Sequence, residues 1–163
     1  MDISRKITEA CYYGGDLLPQ AWRIVTGQTL PKKMPVNWER LGGVQISKDQ
    51  YKHLRRMVDF IQPHTTPNEP IFDFSNQGAL YFFADRPSPS RYHQIAYTAD
   101  SKMQLEVIKG LEKTNTKLVI YTGGFDKPDG IPNSERQWLV AKYIQTHFTK
   151  KVTIDNTFIL LLK

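Results

Sequence analysis

The sequence predicts an α/β fold in which helices flank a layered, mixed sheet that is closed by a C-terminal β-hairpin. Short apolar runs alternate with amphipathic stretches of about ten to fifteen residues, as strands and helices do in α/β layers. Residues 151–163 have the pattern of two strands joined by a turn at Asp155-Asn156, and such a hairpin adds antiparallel strands. The length of 163 residues is that of one domain with its own core.

Residues 1–46 lack this regular alternation. Gly and Pro interrupt the stretch repeatedly, and a short helix around Leu17 to Val25 is the one element that we expect there. We therefore interpret residues 1–46 as a connecting or wrapping segment and residues 47–163 as the α/β domain.

The domain is predicted to open with a helix. Ser47 and Gln50 match the S-x-x-Q capping box, in which each side chain bonds a free backbone N–H of the first turn. Pro63 is expected to end the helix. Apolar side chains recur between them at helical spacing: Tyr51, Leu54, Val58 and Ile61.

A short buried strand is predicted next, at Ile71–Phe74. Strict alternation along this strand would turn Asp73 outward, where solvation or capping explains it. Ser75 and Asn76 are expected to cap a second helix, which runs from Gln77 to about Ala84.

The C-terminal half repeats the alternation. A third helix begins at Thr98 or Asp100, and residues 117–121 form the clearest strand. Ser134 and Gln137 again match S-x-x-Q and open a fourth helix. The inward residues of the third helix are Met103, Val107, Ile108 and Leu111, and those of the fourth are Trp138, Ala141, Ile144 and Phe148.

Composition and charge exclude several classes of protein. The single cysteine, Cys11, rules out an internal disulfide framework, and no apolar run approaches the roughly 18 residues of a membrane span. The first residues lack the apolar core of a signal peptide. The net charge is +6, but the basic excess is spread along the chain, which disfavours nucleic acid as a partner. An anionic lipid headgroup would also be attracted to such a surface.

Motifs of known chemistry are missing. The four histidines are scattered and predict no metal site. Gly123-Gly124 follows a strand, but no dinucleotide or P-loop motif surrounds it, so no cofactor is predicted. Cys11 has no nearby histidine, no G-x-S-x-G elbow occurs, and Asp73 and Asp85 have no diagnostic spacing. No catalytic residue is predicted from these patterns.

The segment from Phe72 to Tyr92 is the unusual one. A strand ends where a helix begins, which is the usual place of a ligand crevice in an α/β sheet, and two arginines follow. Arginine forks suit phosphate or carboxylate. The structural alternative is that Asp85 and Arg86 hold the loop, while Pro87 and Pro89 stiffen it. The candidate ligand-binding residues are Ser75, Asn76, Tyr81, Asp85, Arg86, Arg91 and Tyr92.

The same segment carries a family resemblance. The pattern Asn76…Ala79-Leu80-Tyr81-Phe82…Asp85-Arg86-Pro87…Pro89-Ser90-Arg91-Tyr92 resembles one that follows the last membrane span of bacterial multi-spanning glycosyltransferases. These belong to the dolichyl-phosphate-mannose-protein mannosyltransferase and aminoarabinose-transferase-like group. The resemblance covers residues 42–163, roughly three-quarters of the chain, and its specific part is the Asp-Arg-x-x-Pro block.

This resemblance implies that the chain is a fragment, an accessory soluble domain on the extracytoplasmic side of the bacterial cytoplasmic membrane. The parent would use a lipid-linked sugar donor, and its catalytic carboxylates lie in a loop that is absent here, so no catalytic residue is carried over. The implied partners are the membrane-embedded part of the parent chain and an anionic lipid or polyprenyl-phosphate headgroup near Arg86 and Arg91. The alternative is a free-standing α/β ligand-binding module or small enzyme with a site near Ser75–Arg91. Hydrophobic spans encoded upstream of Asp2 would distinguish the two.

Overall fold

The computed structural model of the protein describes residues 33–34, 41–42, 46–122, 130–155 and 157–163. The expected helix around Leu17–Val25, Cys11, the Gly123-Gly124 loop and the turn residue Asn156 lie outside these ranges. The chain divides into two units, residues 1–48 and 49–163. In the first unit, strands β1 (Lys33–Met34) and β2 (Ile46–Ser47) pair antiparallel. The predicted boundary after residue 46 stays a prediction.

The second unit is built on a four-stranded mixed sheet with the order β3-β4-β6-β5. Strand β3 is parallel to β4, whereas β6 is antiparallel to both β4 and β5. The predicted α/β class with a closing hairpin is therefore confirmed. The strands are β3 (Ile71–Asp73), β4 (Leu118–Thr122), β5 (Phe148–Ile154) and β6 (Thr157–Leu162).

Five helices accompany the sheet in the described ranges. Helix α3 begins where predicted, because the Asp100 side chain accepts a hydrogen bond from the Met103 backbone N–H at 2.8 Å. The helices are α1 (Lys48–His64), α2 (Ala79–Ala84), α3 (Ser101–Lys113), α4 (Asn133–Arg136) and α5 (Trp138–His147), and a 3-10 turn covers Ile95–Tyr97.

One face of the sheet packs against α3 and α5. Phe72, Val119 and Phe74 point to this face, and the ring of Phe74 stacks on that of Tyr121 with 5.4 Å between centroids. The helices and the 3-10 turn contribute the facing apolar side chains, which are Ile95, Val107, Leu111, Val140, Ala141 and Ile144.

The opposite face is also buried. Asp73 lies opposite Ile120, which lies opposite Ile159, so these three side chains share one face of the sheet. All three are at most 1% exposed. The prediction that Asp73 points outward is therefore wrong. Alternation gives an exposed position only when one face of a strand meets water, and β3 is covered on both faces.

The fourth predicted helix is interrupted. Gln137 has φ −105° and ψ 50°, which separates α4 from α5, and Trp138 after it is 53% exposed rather than inward. Ala141 and Ile144 are buried as predicted, whereas Trp138, the first residue of α5, lies on its exposed side. Phe148 begins β5 instead of continuing α5, and it is buried opposite Leu162. Ser134 is not the cap, because α4 begins at Asn133 after Pro132 without a side-chain cap.

Candidate functional site

The candidate residues lie in and beside residues 76–92, which we call the edge segment because it covers the free side of β3. Strand β3 is at one edge of the sheet, and the Phe74 N–H donates to the carbonyl of Ile120 on the neighbouring strand β4. The outward N–H groups of Ile71 and Asp73 donate to the Pro87 carbonyl at 3.2 Å and to the Tyr81 hydroxyl at 3.0 Å. The edge segment thus occupies donors that would otherwise be open to another strand.

Asp85, Arg86 and Pro87 end helix α2 and lead the edge segment along β3. Asp85 has the left-handed conformation, with φ 58° and ψ 50°. Its N–H donates to the Phe82 carbonyl, and the Arg86 N–H donates to the Tyr81 carbonyl at 3.1 Å. This is the Schellman arrangement, which satisfies the last carbonyls of a helix. Pro87 cannot extend the helix, and its carbonyl is free to bond β3.

The Arg86 side chain is a buried clamp with 8% exposure. Its Nε donates to the Thr65 hydroxyl at 2.7 Å, and its Nη1 donates to the carbonyls of Ala84 and Asp85 at 3.2 and 2.8 Å. Its Nη2 donates to the carbonyls of Gln62 and Thr65 at 3.2 and 2.7 Å. A guanidinium has five N–H donors, and all of them are used here. Three join Arg86 to the end of α1 at Gln62 and Thr65, and two bind the carbonyls at the end of α2.

Asn76 links three separate segments. It has φ 60°, its Nδ2 donates to Oδ1 of Asn133 at 3.1 Å, and its Oδ1 accepts from the Ala96 N–H at 2.9 Å. Nδ2 of Asn133 in turn donates to the Phe74 carbonyl at 2.9 Å. Two amides therefore hold the end of β3, the 3-10 turn and α4 together. Asn76 does not cap α2, because the N-cap position is Gly78 and no side chain bonds the first turn there.

Ser75 is bound to the neighbouring carboxylate of Asp73. Its backbone N–H, at 2.8 Å, and its hydroxyl both donate to Asp73 Oδ1, so it does not cap α2 either. Within the described residues, Asp73 Oδ2 has no hydrogen-bond partner. Burial raises the pKa of Asp73 to about 6, although the Ser75 bonds and the Gln77 backbone N–H lower it in part. Burial, followed by the Asp73 charge, also raises the pKa of Tyr81, so its hydroxyl stays neutral.

Arg91 and Tyr92 belong to a different, exposed cluster. Arg91 Nε and Nη2 donate to the two oxygens of Glu106 at 2.9 and 3.0 Å, and Nη2 also donates to the Tyr92 hydroxyl at 2.7 Å. The Tyr92 hydroxyl donates to Glu106 at 3.1 Å, and the guanidinium lies 4.9 Å from the Tyr92 ring centroid. The cluster fixes the edge segment to α3. Its arginine is 69% exposed, so the ion pair itself is weakly stabilising.

The two arginines do not share a partner. Arg86 bonds the end of α1, whereas Arg91 bonds Glu106 on α3. The structure does bring Ser75, Asp73 and Tyr81 together around the end of β3. The contacts described here favour the structural alternative for this segment, and ligand binding by the seven candidate residues stays a prediction.

Sequence reasoning missed the partners of these residues. Asn133 lies 57 positions from Asn76, and Glu106 lies 15 positions from Arg91, so no local spacing could reveal either pair. For Asp73 a signal was present: it is the only polar residue in the run Ile71–Phe74, which is typical of a strand that is buried on both faces.

In the parts of the chain that the structure describes, no three His, Cys, Asp or Glu side chains form a group that could hold a metal ion. None of the helices in these parts combines the length and the apolarity that a bilayer crossing requires.

Comparison with known proteins gives a weak similarity to a solved structure. No family model matches the chain, and no curated protein matches it. Among solved structures, the chain is similar to the C-terminal globular domain of an oligosaccharyltransferase from Archaeoglobus fulgidus. This similarity covers 74% of this chain and 100% of that chain, with 13% identity and a TM-score of 0.40. Such a score carries no argument, so membership of the bacterial glycosyltransferase group stays a prediction.

Proposed function

We propose that the protein is a non-catalytic accessory domain of a membrane glycosyltransferase that uses a lipid-linked sugar donor. The observation that carries this proposal is the structural use of Asp85, Arg86 and Pro87, the first three positions of the Asp-Arg-x-x-Pro block that is the specific part of the resemblance. Asp85 ends α2, Arg86 joins α2 to α1, and Pro87 covers β3.

Residues with these contacts are required by the fold of the domain and take no part in a reaction. Asp85, Arg86 and Pro87 are all needed to end α2 and to cover β3. A pattern that this chain shares with the resembled glycosyltransferases at these positions therefore indicates a shared domain. The shared pattern therefore supports a common tail domain and adds no chemistry to it. On this proposal the domain lies on the extracytoplasmic side and adjoins the membrane-embedded part of its parent.

The location is tested with an epitope tag placed after Lys163 in the native gene. We expect the tag in the membrane fraction, on a polypeptide much larger than the 18.9 kDa of these 163 residues. Protease added to spheroplasts should remove the tag, because the domain faces outward. A tagged protein of about this mass in the soluble fraction would instead support the free-standing α/β module.

The accessory role is tested by activity. Purified residues 1–163 should not turn over a polyprenyl-phosphate sugar, and deletion of the domain from the parent should reduce sugar transfer while the parent still inserts into the membrane. The matched control is the parent with Lys52→Ala, which alters an exposed side chain of α1 outside the candidate site and leaves the clamp intact. Turnover by the isolated chain would refute the non-catalytic role.

A further inference from the structure

Exposed apolar side chains gather around helix α4. Six large apolar side chains are exposed in the described ranges, and four of them lie near this helix. Ile131 precedes α4, Trp138 follows it, and Tyr97 belongs to the 3-10 turn that contacts it. The fourth, Leu105, lies on the neighbouring α3. We call these four residues the Trp138 surface; their exposures run from 47% for Ile131 to 69% for Tyr97.

Gln104, the residue before Leu105, joins α3 to the residues on either side of Gln137 and Trp138. The Gln104 side chain donates to the Arg136 carbonyl at 3.0 Å and accepts from the Leu139 N–H at 3.0 Å. These two bonds join α3 to the point where α4 ends and α5 begins. Leu105 on α3 and Trp138 on α5 therefore belong to segments that meet at this point. Trp138 directly follows the interruption at Gln137 as the first residue of α5, and its side chain is 53% exposed.

Lysines border this apolar surface. Lys102 and Lys109 lie about one turn before and after Leu105 on α3, and Lys142 lies about one turn after Trp138 on α5. All three are exposed, and none forms a salt bridge within the described residues. The nearby Glu106 is already paired with Arg91, which leaves Glu135 on α4 as the acidic side chain closest in sequence to Trp138.

We propose that the Trp138 surface docks on an anionic lipid bilayer. Trp and Tyr favour the headgroup region because their rings are apolar and their N–H or O–H groups remain hydrated. The lysines would face lipid phosphates, and a lysine near an anionic surface strengthens binding roughly fivefold. A second copy of the chain is a poorer partner, since it would place two sets of unpaired lysines against each other. The presence of a bilayer beside this domain rests on the proposed function.

The test uses residues 1–163 and sedimentation of vesicles made of phosphatidylcholine with or without phosphatidylglycerol. We expect binding to the anionic vesicles and much weaker binding to phosphatidylcholine alone. Trp138→Ala should weaken binding about tenfold through lost apolar burial. Lys142→Glu should weaken it by about tenfold or more, because it exchanges attraction for repulsion. Glu135→Lys should strengthen it.

Matched controls come from the rest of the domain. Phe82→Ala removes a side chain of similar exposure, 58% against 53% for Trp138, and Lys52→Glu makes the same change in net charge on α1. Both controls should bind like the unchanged protein. Equal loss in Lys52→Glu and Lys142→Glu would overturn the proposal, because net charge alone would then explain binding.

Two other outcomes would overturn the proposal that the Trp138 surface binds lipid, and neither would contradict the proposed function. One is the absence of vesicle binding while the tagged parent is still found in the membrane fraction. The other is self-association in sedimentation velocity that Trp138→Ala abolishes, since the surface would then bind a second copy. Circular dichroism of each variant should match the unchanged protein, because the substituted side chains are exposed.

Discussion

Replacing Asp73 by Asn should change how the stability of the domain depends on pH. The carboxyl of Asp73 is 1% exposed, and its pKa rises from 3.8 when unfolded to about 6 when folded. Because the folded state holds the proton more tightly, it is favoured at low pH and loses this advantage as pH rises from about 4 to 6. The charged carboxylate is therefore a cost to folding at neutral pH.

The size of this cost follows from the pKa shift. One pKa unit corresponds to about 1.4 kcal/mol, so the full shift amounts to roughly 3 kcal/mol above pH 7. Part of it is already present at pH 4, where the unfolded carboxyl is half ionised. Between pH 4 and pH 7, the stability of Asp73→Asn relative to the unchanged protein should rise by about 2 kcal/mol. The amide keeps an oxygen acceptor for Ser75 and carries no charge at any pH.

The assay is urea unfolding followed by circular dichroism at several pH values between 4 and 7. The comparison of the two proteins at each pH cancels the titration of all other groups. Asp59→Asn is the matched control, since it makes the same substitution at an aspartate that is 57% exposed on α1. A difference between Asp73→Asn and the unchanged protein that does not vary with pH would refute the burial of a charged carboxylate at β3.

Three further predictions concern the edge segment. Arg86→Ala should destabilise the domain by about 3 kcal/mol or more in urea unfolding, because five buried or partly buried acceptors lose their donor, and Arg86→Lys should recover only part of this. Arg91→Ala should leave the melting temperature nearly unchanged; a large drop would mean that its exposed cluster matters more than its burial indicates. Gly110→Ala should lower stability by about 1–3 kcal/mol, because the added Cβ would lie 2.5 Å from the Pro89 carbonyl oxygen, whereas Lys109→Ala should have little effect.

The sequence by itself determined the local elements of this domain. The apolar run at Leu118–Tyr121 forms a strand, Asp100 caps α3, and the closing hairpin adds the antiparallel strands that make the sheet mixed. These features depend on residues that are close in the chain: alternation for strands, spacing of three and four for helices, and a side chain that reaches its own first turn. Such signals are complete within a dozen residues.

Only the tertiary structure decided what the residues of the candidate segment do. Asp73 is buried because both faces of β3 are covered, and Arg86 is a clamp because the end of α1 presents carbonyls to it. Asn76 finds its partner Asn133 across 57 positions, and Trp138 is exposed although Ala141 and Ile144 of the same helix are buried. Each of these outcomes depends on which surfaces meet when the chain packs. Residue spacing does not predict which surfaces meet, because contacts between distant segments are made by the fold as a whole.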